Sequence, residues 1–392
     1  MTISTAPPNQ TAAQVLRSAR TIATFCAEHA PEIDDDDRYP ALEMGRIGDA
    51  GLLSAPLRRS LGGLGLGCEP GGMADLLRLL TILGFGNLAV ARLYEGHVNA
   101  LLLIQEFGSP EQIERAAADV SERRRVFAVW NTQGGDGVRL IPIDDDRFTL
   151  TGAKTFASGA GFVDRPVVTA ALPDGGWQMV LLDRERDAMA VDRSGWRPIG
   201  MKASASGRID VTGVAFGPAA RLGNPGDYYR QPWFSAGAIR FAAAQLGGAI
   251  ALVDAARFAL QAINRTDDDA QRARMGQMAI SVESGLLWLE RAGILADRSA
   301  FGGARSPAVS DREMVAYAAM TRTAIERICL DAIEYSQRSV GARALLKPHP
   351  IERISRDLAL YLRQPAADAA LRTAGEFGLL QPMSSLDAWG RI

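Results

Sequence analysis

The chain has 392 residues, of which 47% are hydrophobic, and this is enough material for two or three domains with substantial cores. A formal net charge of -2 gives no electrostatic reason to expect nucleic acid or an anionic membrane surface as a partner. The three cysteines, Cys26, Cys68 and Cys329, predict neither a disulfide framework nor a zinc site, because they are far apart and odd in number. We expect a cytoplasmic protein without membrane insertion, whose partners are small molecules and copies of itself.

Residues 1–125 are predicted to form an N-terminal helical domain, because their apolar residues recur with helical spacing. A glycine cluster at residues 62–67 interrupts this pattern. It lacks the preceding strand that a dinucleotide-binding loop needs, so we interpret it as a loop that lets two chain segments approach closely. Ser109 and Gln112 form a capping box around Pro110, which predicts a fresh helix at the end of this domain.

Residues 126–231 are predicted to form a compact middle β domain. Short apolar runs, such as residues 147–151 and 178–182, alternate there with turn signals rich in Asp, Gly and Pro. The change from helical spacing to short runs indicates a domain boundary near residue 126.

Residues 232–392 return to helical spacing and are predicted to form a C-terminal four-helix bundle. Small residues at 242–249 allow close helix packing, and Ser310 with Glu313 forms a capping box that opens a later helix. The sequence therefore predicts an α+β fold in which helices come first, strands second and helices again last.

Five short segments, taken in chain order, resemble motifs of the acyl-CoA dehydrogenase family. One of them reads Gly-Ala-Lys-Thr-Phe-Ala-Ser-Gly where the family has Gly-x-Lys-x-Trp-Ile-Thr-Asn. The five segments are residues 42–65, 129–136, 152–159, 200–206 and 351–357. Each fragment alone is weakly specific, but their order along nearly the whole chain identifies the sequence as similar to this family. The resemblance implies an FAD-dependent oxidoreductase with the fold predicted above.

The resemblance also implies which residues contact FAD. Phe156 takes the place of the aromatic residue against the flavin, and Ser158 takes the place of the hydroxyl that reaches flavin N5. Trp130 and Thr132 lie in the motif that contacts the flavin pyrimidine ring in the family. Trp130 replaces a threonine, so it either stacks on the flavin, crowds the site or packs in the core.

Two further residues correspond to family contacts with the outer half of FAD. Arg265 is the nearest match to an Arg that reaches the diphosphate of the partner subunit's FAD, but an acidic run follows it. The alternative interpretation is that Arg265 lies in a solvated turn between helices and contacts no phosphate. Gly341 matches one of two glycines placed against the adenosine half, while Ala342 replaces the other. A cofactor site shared between subunits implies a homodimer or homotetramer.

The glutamate that serves as the family's catalytic base is missing from this sequence. Nine residues past Arg356, where that base is expected, the chain has Pro365, which accepts no proton. Some family members place the base just before a shared Arg on the first long C-terminal helix. Arg240 is that Arg, and Ile239 precedes it. Neither position carries a carboxylate.

Glu95 and His97 are the predicted catalytic residues, because the segment that contains them matches one that lines the family's acyl pocket. An imidazole titrates near neutral pH, and burial moves a carboxylate toward the same range. The alternative is structural: Glu95 pairs with an arginine such as Arg92, and His97 is a hydrogen-bonded core residue.

Three functions stay open at this point. The leading hypothesis is dehydrogenation of the CH-CH group of an acyl thioester on CoA or a carrier protein, with an unknown electron acceptor. The alternative is a flavin-dependent monooxygenase, because residues 156–159 resemble the Phe-x-Ser-Gly of that branch and oxygenation needs no α-proton base. Against it, the histidine of that branch is replaced by Gln364. The third is a non-catalytic member kept for assembly or ligand binding.

Overall fold

The computed structural model describes residues 11–36, 38–302, 309–363, 366–382, 384–385 and 387–388. Gln364 and Pro365, on which part of the functional reasoning depends, lie outside the described residues.

Five α-helices form the N-terminal region. They are α1 (Ala12–Asp35), α2 (Ala41–Asp49), α3 (Gly72–Gly86), α4 (Leu88–Phe107) and α5 (Pro110–Ser121). Helix α4 begins after Asn87, whose side-chain oxygen accepts the backbone N–H groups of Ala89 and Val90. The predicted capping box of Ser109 and Gln112 is confirmed at the start of α5. These caps satisfy backbone donors that the helix itself leaves unpaired.

The middle region contains ten strands in two sheets. They are β1 (Phe127–Trp130), β2 (Arg139–Pro142), β3 (Phe148–Thr151), β4 (Ala153–Ala157), β5 (Arg165–Ala171), β6 (Trp177–Leu181), β7 (Ala190–Asp192), β8 (Gly207–Asp210), β9 (Ala215–Phe216) and β10 (Arg221–Leu222). The larger sheet has the order β10-β6-β5-β2-β3-β9, and β1 pairs in parallel with the first residues of β5. The smaller sheet has the order β4-β8-β7. Strands β1 and β4 carry the predicted flavin motifs.

Five α-helices follow among the described residues. They are α6 (Trp233–Ala262), α7 (Asp269–Phe301), α8 (Asp311–Val340), α9 (Pro350–Tyr361) and α10 (Ala367–Leu380). The three long helices pack on each other, α6 and α7 also pack on α3, and α10 packs on α8. The capping box of Ser310 and Glu313 is confirmed at the start of α8. The predicted order of helices, strands and helices is therefore confirmed.

Glycines permit close backbone approaches at two places that the sequence indicated. A Cβ atom on Gly63 would lie 2.1 Å from the Leu57 carbonyl oxygen, so the glycine-rich loop folds directly onto the preceding turn. A Cβ on Gly247 would lie 2.2 Å from the Thr81 carbonyl oxygen, at the point where α6 crosses α3. The small residues of α6 thus bring the N-terminal and C-terminal helices into contact.

Helix α6 is also the one described helix that is long and apolar enough to cross a membrane. However, 72% of its most apolar window is buried inside the protein. Its apolar side chains therefore supply core contacts for the bundle, as for Ile239 and Leu246, which are fully buried.

Helix α9 fastens the middle region to the rest of the molecule. The Asp357 carboxylate accepts the backbone N–H of Met201 at 2.5 Å, and Arg356 donates to the Ile199 carbonyl at 2.6 Å. Arg356 also forms an ion pair with Asp34 of α1 at 2.8 Å. A Cβ on Gly200 would lie 2.2 Å from the Arg356 carbonyl oxygen, which leaves room for no other residue. The Arg-Asp pair of the fifth motif thus joins three regions.

Candidate functional site

Four predicted cofactor residues come together where the end of β1 meets β4. The Trp130 indole N–H donates to the Ser158 carbonyl oxygen at 3.0 Å, and the Thr155 N–H donates to the Thr132 carbonyl oxygen at 2.9 Å. The Trp130 side chain is buried, which matches the core-packing interpretation of this residue. The Ser158 hydroxyl is half-buried and accepts a hydrogen bond from Ser206 at 3.4 Å.

Phe156 occupies an unusual position in this cluster. The pairing of β4 with β8 shifts register between Lys154 and Ala157, and this bulge gives Phe156 a φ of 52°. An aromatic residue rarely adopts this left-handed conformation. The bulge turns the ring outward, so that 63% of the residue is exposed. The result is an exposed aromatic ring two residues before the half-buried Ser158.

Trp196 lies against Phe156 and was missed by the sequence reasoning. The two rings meet edge to face, with centroids 5.9 Å apart and planes at 89°. Trp196 stands in the turn after β7, outside every motif that the sequence offered. Only the fold brings it to the site.

Lys154 was also missed, although it is part of the third motif. Its ammonium group is fully buried and donates to three neutral acceptors, which are the Asn131 carbonyl at 3.1 Å, Gln133 at 2.6 Å and Thr169 at 2.9 Å. Burial lowers its pKa to about 7, because the charged form is desolvated. Lys154 therefore fixes the segment after β1, which carries Thr132.

Arg265 and Gly341 lie apart from this cluster. Arg265 is exposed in the turn between α6 and α7, where it forms an ion pair with Asp268. It borders a cavity of about 330 Å³ that is lined by residues of α6, α7 and their connecting turn. Gly341 ends α8 with a φ of 75°, and the space beside its Cα is open. The partner subunit that would join these residues to a shared site is a prediction.

His97 is a core residue in this structure. Its side chain is fully buried on α4, and Nε2 lies 2.8 Å from the Leu53 carbonyl oxygen. Nδ1 accepts the backbone N–H of Phe127 at 3.1 Å, so Nε2 carries the proton and donates to Leu53. Burial lowers the pKa of His97 to about 4. The ring joins α4, the turn after α2 and β1, which is the structural alternative stated above.

Glu95 belongs to a network that we call the arginine cluster, formed by Arg92, Glu95, Asn99 and Arg240. The Glu95 carboxylate is buried; one oxygen pairs with Arg92 and the other accepts from the Asn99 amide. The Asn99 carbonyl oxygen in turn accepts from Arg240 Nε at 2.5 Å. The pairing of Glu95 with Arg92 also follows the structural alternative. A catalytic role for Glu95 or His97 stays a prediction.

The candidate site combines an exposed aromatic ring and a hydroxyl on the β domain with a buried polar network on the neighbouring helices. Two family models match the chain: the acyl-CoA dehydrogenase N-terminal domain over residues 9–122 and the acyl-CoA dehydrogenase C-terminal domain over residues 233–362. The chain belongs to the acyl-CoA dehydrogenase family, and it is a flavin-dependent oxidoreductase in the general sense of that family.

Its curated relatives include both dehydrogenases and monooxygenases. The chain is 28% identical to dibenzothiophene monooxygenase of Mycolicibacterium goodii over 45% of this chain and 43% of that protein. It is 21% identical to mitochondrial isobutyryl-CoA dehydrogenase of Dictyostelium discoideum over 88% and 82%. It is 24% identical to SfnC of Pseudomonas putida, a probable FMNH2-dependent monooxygenase, over 95% and 97%.

Solved structures of both kinds share the fold. FMN-bound TdsC from Paenibacillus sp. A11-2 superposes with a TM-score of 0.84 at 19% identity, over 93% of this chain and 97% of that one. Butyryl-CoA dehydrogenase from Megasphaera elsdenii superposes with a TM-score of 0.80 at 17% identity, over 96% and 100%. At these identities the likeness establishes the fold alone.

Proposed function

We propose that the chain is a flavin-dependent monooxygenase built on the acyl-CoA dehydrogenase fold. The proposal rests on the hydrogen bonds made by the two candidate bases, Glu95 and His97. Both ring nitrogens of His97 are used in backbone hydrogen bonds, and both oxygens of Glu95 are used by Arg92 and Asn99. Desaturation beside a thioester requires a base for the α proton, whereas oxygen insertion does not. The arrangement therefore favours oxygenation.

The sequence adds to this argument at the two positions where the family places its base. Pro365 carries no group that accepts a proton, and Ile239 is a fully buried aliphatic residue. The similarity to SfnC over nearly the full length of both chains, and to dibenzothiophene monooxygenase over part of them, supports the same proposal.

We propose that Phe156 and Ser158 hold the flavin ring, with Trp196 behind Phe156. These residues fit a flat, partly polar ring, because the bulge exposes an aromatic ring two residues before a half-buried serine. Bound flavin would supply the redox chemistry. The resemblance predicts FAD, but the pairing of Arg265 with Asp268 leaves little charge for a diphosphate and favours FMN, which has no adenosine half. Binding titrations of FMN and FAD with the purified protein decide between the two.

Acyl-CoA dehydrogenation is the second candidate, favoured by the match to isobutyryl-CoA dehydrogenase over most of both chains. In that case another group must take the α proton. A non-catalytic role is the third outcome, and failure to bind any flavin would indicate it.

Two parallel experiments, the first of them anaerobic, separate the candidates. Flavin-loaded protein is titrated with butyryl-CoA and isobutyryl-CoA while the flavin absorbance is followed; bleaching supports the dehydrogenase. In parallel, the flavin is reduced with dithionite and mixed with ¹⁸O₂ in the presence of dibenzothiophene, indole or methanesulfinate. We expect no bleaching by the thioesters and ¹⁸O incorporation into an organic product. Rapid bleaching by a thioester at family-like rates would overturn the monooxygenase proposal.

We also propose that the chain forms a homo-oligomer through α7. Four large apolar residues recur every seven positions on this helix and are 41% to 64% exposed: Ile280, Leu287, Ile294 and Phe301. A stripe of this kind on a long helix marks a helix-packing interface. Leu287→Glu is expected to lower the mass measured by light scattering, while the matched control Leu42→Glu, on the exposed face of α2, leaves it unchanged. An unchanged mass for Leu287→Glu would refute this interface.

A further inference from the structure

The arginine cluster contains more positive than negative charge. Among the described residues that interact electrostatically with Arg92 and Arg240, Glu95 is the one carboxylate, and the others are the tyrosines Tyr228 and Tyr361. Neutral tyrosines do not balance a guanidinium charge. The cluster therefore holds two cations and one anion in a buried setting, and such an excess is costly unless another anion joins it.

Arg240 is the member with free hydrogen-bonding capacity. The residue is 9% exposed, and its Nε is used by Asn99 at 2.5 Å. Its two outer nitrogens have no hydrogen-bond partner among the described residues. One of them lies over Gly237, where a Cβ atom would be 3.2 Å away, so the glycine leaves room for the guanidinium edge. Four N–H donors are thus left for a group that the chain itself does not provide.

A second unpartnered group lies beside the same cluster. The Tyr361 hydroxyl is buried close to Arg92 and Glu95; its oxygen interacts with Arg92, but its O–H has no acceptor within the described residues. Buried polar atoms are nearly always paired in native proteins. Two unpaired groups in one place indicate a polar ligand rather than isolated strain.

The cluster adjoins the proposed flavin site. Tyr228 interacts with Arg92, Glu95 and Arg240, and the next residue, Tyr229, donates its hydroxyl to the Asn131 side chain at 3.3 Å. Asn131 lies between Trp130 and Thr132, in the segment that Lys154 fixes. A ligand bound at the arginine cluster would therefore lie on the helix side of the flavin segment.

We propose that the substrate carries an anionic head group, a carboxylate or a sulfur oxyanion, which Arg240 and Arg92 bind. This inference rests on the proposed function for its location beside the flavin. A guanidinium edge matches two oxygens of such a group with two parallel hydrogen bonds. Without a ligand, the two arginines and Glu95 give the cluster a net charge of +1. The negative charge of the bound head group balances this excess. Burial lowers the pKa of Arg240, as expected of a cation that lacks a full set of partners.

The test measures anion binding directly. Flavin-loaded full-length protein is titrated calorimetrically with butyrate, 1-butanesulfonate and the neutral control butyramide at constant ionic strength. We expect binding of at least one anion and none of butyramide; stronger binding of either anion identifies the oxyanion class. Arg240→Gln should weaken anion binding about tenfold or more, which is the usual effect of losing a hydrogen bond to a charged group. Arg147→Gln, in a surface hairpin where the arginine also pairs with a carboxylate, is the matched control.

Glu95→Gln should change anion affinity in the opposite direction from Arg240→Gln. A folding defect in Arg240→Gln therefore cannot account for both results. Removing this carboxylate raises the positive charge of the cluster and should tighten anion binding. Equal binding of anions and butyramide, or weaker anion binding in Glu95→Gln, would overturn the inference. If the protein fails to bind anions but still performs flavin-dependent oxygenation, the anion site is wrong and the proposed function stands. If it binds anions but takes up no flavin, the anion site is supported and the proposed function is wrong.

Discussion

The position of His97 makes a quantitative prediction about stability and pH. Burial lowers the pKa of this imidazole from 6.5 to about 4 in the folded chain. Between these values the unfolded chain binds a proton that the folded ring does not, so acidification favours unfolding. Above pH 6.5 the unfolding free energy therefore does not vary with pH through this group, and it decreases as the pH falls toward 4. A shift of this size corresponds to about 3 kcal/mol of unfolding free energy.

His97→Gln isolates this contribution. The amide can replace the hydrogen bonds to Leu53 and Phe127, but it does not titrate. Urea unfolding is followed at several pH values between about 7 and 4 at fixed protein concentration. We expect wild type to lose about 3 kcal/mol more than the variant over this range. Parallel pH profiles for the two proteins would refute the buried, neutral imidazole. Turnover of His97→Gln, measured alongside, tests the catalytic prediction, which requires a large loss of activity.

Three further predictions concern individual positions. Phe156→Gly should stabilise the fold by about 1 kcal/mol, because glycine adopts the left-handed backbone without strain, and it should weaken flavin binding. A variant that is destabilised, or that binds flavin as well as wild type, would count against the proposed placement of Phe156. The stability of wild type should rise as the pH increases from about 7 toward 10.5, because the buried Lys154 amine loses its proton in that range while the unfolded chain keeps it. Lys154→Met should abolish this rise in thermal melts, and an unchanged pH profile would contradict the prediction. Gly200→Ala should lower the melting temperature markedly because its Cβ meets the Arg356 carbonyl, whereas Gly195→Ala has open space; similar melts for both would refute the tight contact.

Local signals in the sequence predicted local structure well. The capping boxes at Ser109 and Ser310 depend on residues three positions apart, and both are present. The three-part order follows from hydrophobic periodicity, which is also a short-range property. The pairing of Glu95 with Arg92, weighed as an alternative, is likewise an interaction between neighbouring turns of one helix.

The site depends on long-range contacts that short motifs do not encode. Arg240 reaches Asn99 across 141 positions, and Phe127 binds His97 across 30. Trp196 comes from a turn with no motif at all. The resemblance predicted that Glu95 and His97 border a pocket, but burial and partners, which decide their chemistry, are set by the packing of separate helices.

The Arg-Asp pair on α9 changes how the most recognisable segment of this sequence should be used. Its side chains contact a turn of the β domain and helix α1, and these contacts hold the helix in place without using a proton acceptor nine positions later. Detection of this signature in a genome thus reports how the helix is docked and does not by itself identify the reaction. Before an activity is transferred from one relative to another, the residue at position 365 and the charged residues facing α4 must be compared. The Arg-Asp signature shows only that the chains are related.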